Sequence, residues 1–249
     1  MNILLINDDG IDSPLLACLC RAAAARRHHV AVCAPMTQQS AKSHSFTLDN
    51  PIKAYPREME GADSAWAIEG TPVDCACIGL MHLFPNTQLV ISGINHGYNA
   101  GLSTYPSGTV GAARAAAFHG VKALALSAHT ETPAETVTFF AEWATRLGEQ
   151  LMREPLPGKA VCNVNVPPVA IHELREPVFC PLSTTMWADG YAQRESPRGD
   201  TYFWLLPYHE NKPTEGSDLD MLAQNHITCT LLTPTPCLQE GYAYILKNL

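Results

Sequence analysis

Residues 1–10 read MNILLINDDG, an apolar run that ends in a polar tetrapeptide. The run NILLI at residues 2–6 is typical of a short strand buried on both faces of a parallel sheet. The segment that follows offers Asp12 or Ser13 as a helix N-cap, Pro14 in the first turn and then an Ala-rich stretch. It therefore predicts a helix directly after the strand.

The same alternation continues over the first two thirds of the chain. Strands are predicted at residues 29–35, 88–93, 122–127 and 160–167, and helices at residues 70–84, 107–120 and 133–153. Alternating strands and helices form βαβ units with right-handed crossovers. The fold class that we expect is therefore α/β, with a mainly parallel sheet flanked by helices.

The composition and pattern of the sequence change after Pro167, where prolines, aromatic residues and short alternating runs become frequent. The runs TYFWLLPY (201–208) and HITCTLLTP (226–234) predict hairpins and irregular strands. We accordingly divide the chain into an α/β core at residues 1–167 and a hairpin-rich extension at residues 168–249. Both parts are expected to form a single domain.

Length, charge and cysteine usage limit the class of function. A chain of 249 residues with 46% hydrophobic residues can fill a globular core. The net charge of -8 argues against a groove for a nucleic-acid polymer and against an anionic membrane, since both need clustered basic residues. Nine cysteines without a CxxC pair, and an N-terminus without a signal-like stretch, predict a cytoplasmic protein with buried thiols.

Several frequent catalytic motifs are absent from the sequence: GxGxxG after the first strand, the GxxxxGK[ST] phosphate loop, HExxH and GxSxG. Their absence removes support from dinucleotide-binding, NTPase, zinc-protease and α/β-hydrolase functions. A DxD-type aspartyl-phosphate nucleophile is not matched either, because Asp8 and Asp9 are adjacent.

Polar loops follow three of the predicted strands, and ligands of an open parallel sheet bind beside the carboxyl ends of its strands. These loops contain Asp8 and Asp9, then Ser40, then Asn95 in GINHGYNAG (93–101). Two adjacent carboxylates repel each other, whereas a hard divalent cation takes carboxylate, hydroxyl and amide oxygens. We expect a metal site here; for each residue alone, the alternative is an ordinary turn or helix cap.

A second candidate site is the start of the helix in SGTVGAARAAAF. Ser107, Gly108 and Thr109 open this helix, where free backbone N–H groups and the helix dipole favour an anion such as phosphate. The alternative for Ser107 is an ordinary N-cap. His44 and His96 are candidate proton donors, and a surface position is the alternative for both.

Together these segments resemble the SurE family of stationary-phase survival proteins, metal-dependent nucleotidases that remove phosphate from nucleoside monophosphates. The matching segments are, in family order, ILLINDDGIDSP (3–14), APMTQQSAKSHSFTL (34–48), EGTPVDC (69–75), LVISGINHGYNAG (89–101), SGTVGAARAA (107–116) and NVNVP (163–167). They span most of the first 167 residues.

The resemblance implies a Rossmann-like core that acts as a 5'/3'-nucleotidase. One divalent cation per subunit, Mg²⁺ or Mn²⁺, is implied to bind to Asp8, Asp9, Ser40 and Asn95. The substrate phosphate is implied to lie at Asn95, Ser107, Gly108 and Thr109. Asp8 and Asp9 are the candidates for accepting the proton of the attacking water. A homodimer or homotetramer that exchanges C-terminal segments is also implied.

The sequence departs from the family pattern at two places. Ala41 stands where the family usually has glycine, and LSTYPSG (102–108) replaces the usual acidic pair and tyrosine before SGTV. Pro106 is expected to stiffen the approach to Ser107 and to keep Tyr105 extended. The second hypothesis is therefore a non-catalytic nucleotide-binding or regulatory protein on the same fold.

Overall fold

The structure is a computed structural model that describes residues 1–186, 188–207 and 212–234. In these ranges the helices are α1 (Pro14–Ala25), α2 (Pro72–Ile78), α3 (Gly108–Phe118), α4 (Ala134–Leu151) and α5 (Asp218–Ala223). The strands are β1 (Asn2–Ile6), β2 (His29–Pro35), β3 (Ala54–Arg57), β4 (Ser64–Ile68), β5 (Leu89–His96), β6 (Lys122–Ala128), β7 (Val161–Val166), β8 (Arg175–Phe179), β9 (Ala188–Glu195), β10 (Thr201–Pro207) and β11 (His226–Leu232).

Nine of these strands form one sheet in the order β3-β4-β2-β1-β5-β6-β7-β11-β8. All neighbouring pairs from β4 to β7 are parallel, whereas β3 and β11 run antiparallel to β4 and β7. The predicted α/β fold with a mainly parallel sheet is therefore confirmed. Because β1 lies between β2 and β5, the loops after these three strands meet at one edge of the sheet.

Strand β1 is buried on both faces, as its continuous apolar run predicts. Ile3 and Leu5 pack into the cluster on the side of α1 and α4. Leu4 and Ile6 pack into the cluster on the opposite side, which includes residues of α2 and α3. Burying one such side chain contributes roughly 1.5–3 kcal/mol. The central strand is therefore fixed by packing from both layers of helices.

The helix starts follow the capping residues of the sequence. Ser13 is the N-cap of α1, and its Oγ accepts a hydrogen bond from the Leu16 N–H at 3.5 Å, so the structure selects Ser13 over Asp12. Helix α2 begins after Thr71, which forms a capping box with Asp74. The helix predicted at residues 70–84 is shorter than expected, because its last part is a π-helical turn, Gly79–Leu83.

Strands β3 and β4 lie in a segment for which the sequence pattern predicted no element. Their sequences, AYPR and SAWAI, contain only short apolar runs. Strand β4 forms by pairing in parallel with β2, and β3 covers the outer edge of β4. Pro56 in β3 fits this position, since proline is tolerated in edge strands.

The C-terminal part divides between two sheets. Strands β9 and β10 form a separate antiparallel hairpin, which confirms the hairpin predicted from TYFWLLPY; Tyr208 lies outside the described residues. In contrast, β11 joins the main sheet between β7 and β8. The boundary at residue 167 remains a prediction, and the extension of 168–249 includes residues 187, 208–211 and 235–249, which lie outside the described ranges.

Eight cysteines lie in the described residues; all are free, and five of them are buried. Among the same residues, no helix has both the length and the apolar character that crossing a membrane requires.

Candidate active site

Asp8 and Asp9 lie in a turn that is closed by hydrogen bonds between the flanking residues Asn7 and Gly10. The Asn7 Nδ2 donates to the Gly10 carbonyl at 2.8 Å, and the Gly10 N–H donates to Asn7 Oδ1 at 3.2 Å. Gly10 has φ of 102°, a backbone conformation that residues with a side chain rarely adopt. The Gln39 N–H also donates to the Asp8 carbonyl at 2.7 Å. The acidic turn is therefore tied both to β1 and to the loop after β2.

The carboxylate of Asp8 lies against the first turn of α3. Thr109 Oγ1 donates to Asp8 Oδ1 at 2.5 Å, and the side chain of Asp8 is buried. Ser107 is the N-cap of α3, since its Oγ accepts a hydrogen bond from the Val110 N–H at 3.1 Å. The hydroxyls of both Ser107 and Thr109 thus have partners within the protein.

The two carboxylates are held close together in surroundings that disfavour their charge. Burial raises the pKa of Asp8 to about 6; the hydroxyl of Thr109 opposes this shift and the charge of Asp9 adds to it. Burial also raises the pKa of Asp9, although the His96 N–H donates to Asp9 Oδ2 at 3.2 Å. Within residues 1–186, 188–207 and 212–234, no lysine or arginine forms an ion pair with either acid.

Asn95 comes from the end of β5, the strand beside β1. Its Nδ2 donates to the Gly97 carbonyl at 2.7 Å, so Oδ1 is the atom of this side chain that remains for a ligand. The neighbouring His96 is exposed and also lines the cavity described below. Strand pairing therefore brings Asn95 to the edge of the sheet that carries the acidic turn.

Ser40 is exposed in the loop after β2, and its Oγ accepts a hydrogen bond from Gln38 Nε2 at 3.1 Å. The next residue, Ala41, has φ of 57°, in the left-handed region. This conformation explains why glycine suits the position, because an L-residue with a Cβ is strained there. The departure from the family pattern at Ala41 thus keeps the turn but adds strain.

The same loop is bound to the residues that precede α3. The Ser43 N–H donates to the Pro106 carbonyl at 2.9 Å, and Ser43 Oγ donates to the Tyr105 carbonyl at 2.7 Å. The ring of Tyr105 lies 5.6 Å from the guanidinium carbon of Arg114 and lines a different cavity. Pro106, in contrast, lines the cavity with Asp8. Tyr105 has φ of -74° and ψ of -47°, so the extended conformation expected before Pro106 is wrong. The Tyr105 N–H instead closes a turn by donating to the Leu102 carbonyl at 3.1 Å.

His44 is placed away from the acidic turn. Its ring packs against Phe118 at the far end of α3, with 5.5 Å between ring centroids. Burial, followed by the charge of Arg114, lowers the pKa of His44. His44 is not among the residues that line the cavity described below.

One cavity of about 730 Å³ joins the candidate residues. Asp8, Ser40, Asn95 and Ser107 all line it. Asp9 is connected to the cavity through its hydrogen bond from His96, and Thr109 is buried behind Asp8. The remaining lining residues from outside the candidate set include Tyr98, His129, Met186, Tyr191 and Leu205.

A buried network of amides supports the loop after β5, and sequence reasoning did not identify it. The Asn99 N–H donates to Asn165 Oδ1 at 3.0 Å, and Asn99 Nδ2 donates to Ser127 Oγ at 2.9 Å. Asn163 Nδ2 donates to the Asn99 carbonyl at 2.8 Å. The sequence signal is NVN in a predicted buried strand, where two asparagines on one face need polar partners.

Asp218 is a second residue that sequence reasoning missed. Its carboxylate is fully buried and accepts hydrogen bonds from the N–H groups of Gly101 at 2.7 Å and Ser183 at 2.8 Å. Burial raises its pKa, and these hydrogen bonds oppose the shift. Asp218 therefore connects the cavity loop to the C-terminal part, across more than 100 residues of sequence.

The donor set fits a hard divalent cation. Asp8 and Asp9 could supply carboxylate oxygens, and no lysine or arginine of the described residues pairs with them. Ser40 and Asn95, which line the cavity with Asp8, could add a hydroxyl and an amide oxygen. The described residues contain no group of three or more His, Cys, Asp or Glu side chains that could hold a metal, so this site would rely on two carboxylates and on neutral oxygen donors. Oxygen donors of this kind suit hard cations such as Mg²⁺ or Mn²⁺ better than they suit the softer metals that prefer Cys and His ligands.

Comparison with known proteins gives consistent matches. The family model described as "Survival protein SurE" matches residues 3–189. The chain is 37% identical over 236 residues to the 5'-nucleotidase SurE of Maridesulfovibrio salexigens, covering 93% of this chain and 92% of that protein. It is 38% identical over 240 residues to the 5'-nucleotidase SurE of Desulfovibrio desulfuricans, with the same coverage of both chains.

A solved structure is also similar over its whole length. The crystal structure of the SurE protein from Aquifex aeolicus aligns with a TM-score of 0.80 and 25% identity, covering 100% of this chain and 99% of that one. The chain therefore belongs to the SurE family.

Proposed function

We propose that the protein is a metal-dependent phosphomonoesterase that hydrolyses nucleoside monophosphates to nucleoside and phosphate, as a 5'/3'-nucleotidase. One observation carries the proposal: Asp8, a buried carboxylate with a raised pKa, lies beside Asp9 and the start of α3 with no cationic partner in the described chain. The printed names of the relatives, 5'-nucleotidase SurE, support the substrate class.

One divalent cation, Mg²⁺ or Mn²⁺, would be held by Asp8, Asp9, Ser40 and Asn95. When bound, such a cation supplies Lewis-acid polarisation of a phosphoryl oxygen. The hydrogen bond between Asn95 Nδ2 and the Gly97 carbonyl supports this assignment, because it keeps the amide oxygen as the available atom. Asn95 would therefore contact the cation through Oδ1 and the phosphate through the second hydrogen of Nδ2.

The phosphate would lie at the first turn of α3. Since the hydroxyls of Ser107 and Thr109 already have partners, the backbone at Gly108 and the dipole of the helix provide the positive end for the anion. This places the phosphate beside Asp8, within the cavity that Ser107 lines.

Hydrolysis needs a group that accepts a proton from the attacking water. The water oxygen forms a bond to phosphorus while the bond to the nucleoside oxygen breaks, and the nucleoside oxygen takes up a proton from solvent. Asp9 is the candidate for the base, because it is less buried than Asp8 and has a raised pKa. Asp8, with the Thr109 hydroxyl bound to it, stays the orienting carboxylate.

The test is phosphate release from a panel of nucleoside monophosphates, measured with Mg²⁺, with Mn²⁺ and with EDTA. We expect release with either metal, loss of activity with EDTA and recovery when metal is restored. Nucleotide binding without turnover under every condition would instead support a non-catalytic nucleotide-binding protein. Thermal unfolding gives a second readout, since a cation that binds only the folded state raises the melting temperature.

We also propose that the protein is a homodimer or homotetramer. The β9–β10 hairpin lies outside the main sheet and exposes large apolar side chains, namely Tyr191, Tyr202, Phe203, Trp204, Leu205 and Leu206. Exposed apolar patches of this kind mark protein interfaces. Light scattering should give a mass of at least two chains at micromolar concentration, and a monomeric mass would contradict the proposal.

A cytoplasmic location is proposed from the cysteines. All eight thiols of the described ranges are free, as is typical of a reducing compartment. Fractionation of cells that produce the tagged protein would test it, and recovery of the protein from the periplasmic or secreted fraction would contradict it.

A further inference from the structure

Asp218 is the least exposed carboxylate in the described part of the chain, at 0% against 4% for both Asp8 and Asp74. It does not line the cavity that contains Asp8, and the proposed chemistry does not use it. No lysine or arginine of the described residues forms an ion pair with it. Burying an unpaired charge is costly unless hydrogen bonds replace the lost water, so the partners of Asp218 indicate its role.

Three backbone N–H groups replace the water around this carboxylate. Asp218 Oδ1 accepts from the N–H groups of Ser183 at 2.8 Å and Leu219 at 2.9 Å. Asp218 Oδ2 accepts from the Gly101 N–H at 2.7 Å. All three partners donate, so the ionised carboxylate, which only accepts, is the form that fits. One oxygen thus holds the C-terminal part of the chain, and the other holds the loop after β5.

That loop forms one wall of the cavity. It comprises residues 97–107, between β5 and α3, and is called the cavity loop below. Its residues that line the cavity are Gly97, Tyr98, Asn99, Ser103, Pro106 and Ser107. Because Ser107 is the N-cap of α3, the loop ends where the substrate phosphate is proposed to lie. The position of the loop therefore sets the geometry of this end of the cavity.

The cavity loop is closely docked on residues 183–185. Besides the bond from Gly101 to Asp218, the Leu102 N–H donates to the Thr185 carbonyl at 2.8 Å. Gly101 has φ of 55°, and a Cβ placed on it would lie 2.5 Å from the Thr185 oxygen and 3.2 Å from the Ser183 oxygen. Glycine is thus needed for the loop to approach this closely.

Closed turns connect this contact to α3. Residues Gly101–Thr104 form a 3-10 helix, and Thr104 Oγ1 donates to the Gly101 carbonyl at 3.0 Å. Pro106, with its fixed φ, then precedes Ser107. A displacement at Gly101 should therefore be passed on to the first turn of α3, because few rotatable bonds between them could absorb it.

The proposed metal ligands from β1 and β5 are held by other contacts. Asn95 lies within β5, and its Nδ2 donates to the Gly97 carbonyl at 2.7 Å. The Gly97 N–H in turn donates to the Ala128 carbonyl of β6 at 2.7 Å. The acidic turn is closed by hydrogen bonds of its flanking residues. Loss of the Asp218 contact should therefore leave this part of the cavity in place.

Ser40 is the proposed metal ligand whose loop contacts the cavity loop. The contact is the hydrogen bond from the Ser43 N–H to the Pro106 carbonyl at 2.9 Å. A neutral hydroxyl contributes less to the affinity for a cation than two carboxylates do, since affinity follows the charge of the ligands. We therefore expect at most a small change in metal affinity when the cavity loop moves.

We infer that Asp218 is a positioning residue, which acts through Gly101 to hold the first turn of α3 in the place where it can bind the substrate phosphate. This inference rests on the proposed function. It predicts a split between two ligands: the affinity for phosphate depends on Asp218, whereas the affinity for the metal does not. A role in global stability alone would give no such split at temperatures well below unfolding.

Two variants disturb the contact from its two sides. Asp218→Asn keeps the size of the side chain but replaces one acceptor oxygen by an NH2 donor, so one of its two partners is lost. Gly101→Ala inserts a Cβ at the contact and leaves the charge of Asp218 unchanged. Gly120→Ala is the matched control, because Gly120 also has a positive φ, of 81°, but nothing lies within 4 Å of a Cβ there.

Isothermal titration measures the Kd of Mn²⁺ for each protein, and then the Kd of inorganic phosphate at saturating Mn²⁺. Steady-state kinetics at saturating Mn²⁺ give kcat/KM for adenosine monophosphate. All measurements are made well below the melting temperature of the least stable variant, and circular dichroism checks that each protein is folded.

In Asp218→Asn and Gly101→Ala we expect phosphate affinity and kcat/KM to fall roughly tenfold or more, as displaced binding groups cause. The Kd of Mn²⁺ should stay within about threefold of the wild type in both, because the charged ligands are unchanged. Gly120→Ala should match the wild type in all three quantities.

Equal losses of Mn²⁺ and phosphate affinity would overturn the inference, because Asp218 would then support the fold as a whole. Unchanged phosphate affinity in the two variants, or no phosphate binding by the wild type, would overturn it as well. If Asp218→Asn does not fold, the comparison of Gly101→Ala with Gly120→Ala decides. A wild type that binds phosphate but hydrolyses no nucleotide would contradict the proposed function, while the split in affinities would still support the role of Asp218.

Discussion

A Cβ atom placed on Gly108 would lie 3.0 Å from the Cβ of Asp8 and 3.1 Å from its Oδ2. Glycine is needed here for space, since it lets the first turn of α3 approach the carboxylate. The contact is secured by the hydrogen bond from Thr109 to Asp8. The packing of helix α3 against the end of strand β1 therefore depends on residues of the candidate site.

Gly108→Ala should push Asp8 away from its position by a few tenths of an ångström, because Pro72 also lies 3.2 Å from the new Cβ. We expect kcat/KM for a nucleoside monophosphate to fall at least roughly tenfold, as misplaced catalytic groups do. Overpacking should lower the free energy of unfolding by about 1–3 kcal/mol. Gly158→Ala is the control, since nothing lies within 4 Å of a Cβ there; equal effects of the two substitutions would contradict the prediction.

Asp8→Asn should abolish turnover and stabilise the metal-free protein. The pKa of Asp8 rises from 3.8 to about 6, so the folded state favours the protonated acid. The stability that the protonated Asp8 gives to the folded state is complete at low pH and is lost as the pH rises from 3.8 through about 6. At neutral pH the variant should gain roughly 2–3 kcal/mol over the wild type in EDTA.

Denaturant unfolding of both proteins in EDTA between pH 4 and pH 8, roughly the window of the linkage, measures this difference. The gain should appear as the pH rises. Full activity of Asp8→Asn would show that the carboxylate is not needed for turnover. The same pH dependence of unfolding in both proteins would show that its charge does not lower the stability.

Ala41→Gly should stabilise the protein. Ala41 has φ of 57°, and a left-handed L-residue costs roughly 1–2 kcal/mol, which glycine avoids. Part of this gain is offset by the larger entropy of glycine in the unfolded chain. We expect the midpoint of thermal unfolding to rise. Ala54→Gly, in the exposed edge strand β3, should lower it instead; a lower midpoint for Ala41→Gly would indicate that the turn is not strained.

Glu149 should contribute stability that depends on pH. Arg26 donates to both carboxylate oxygens of Glu149, at 2.8 and 2.7 Å, and this holds the pKa of Glu149 below its usual value of 4.5. His28 Nε2 donates a further hydrogen bond to Glu149 Oε1 at 2.9 Å. Because the folded pKa is lowered, the contribution is present above pH 4.5 and is lost as the pH falls through the folded pKa.

Glu149→Gln should therefore lower the melting temperature at pH 7 and converge with the wild type at low pH. Glu142→Gln, on the exposed face of the same helix, is the control and should have little effect at either pH. A constant difference between Glu149→Gln and the wild type at all pH values would indicate that the loss is due to packing and not to charge.

Much of the candidate site was predictable from local sequence. NILLI has the pattern of a buried strand, so Asp8 and Asp9 had to lie at the carboxyl edge of the sheet. In contrast, β3 and β4 were missed, because their formation depends on the open edge of β2 and not on a strong pattern of their own. The run HITCTLLTP predicted a hairpin or an irregular strand, and it forms strand β11, which pairs with the free edge of β7.

The alternating α/β architecture and the helix starts could be predicted from the chain alone, because both depend on neighbouring residues. Which of the acidic, hydroxyl and amide side chains meet could not be predicted, because it depends on the tertiary fold. The fold brought Asp8 to Thr109, placed His44 away from the cavity, and joined Asp218 to Gly101. Such contacts depend on strand order and on packing between distant segments, and no local pattern of residues encodes those distances.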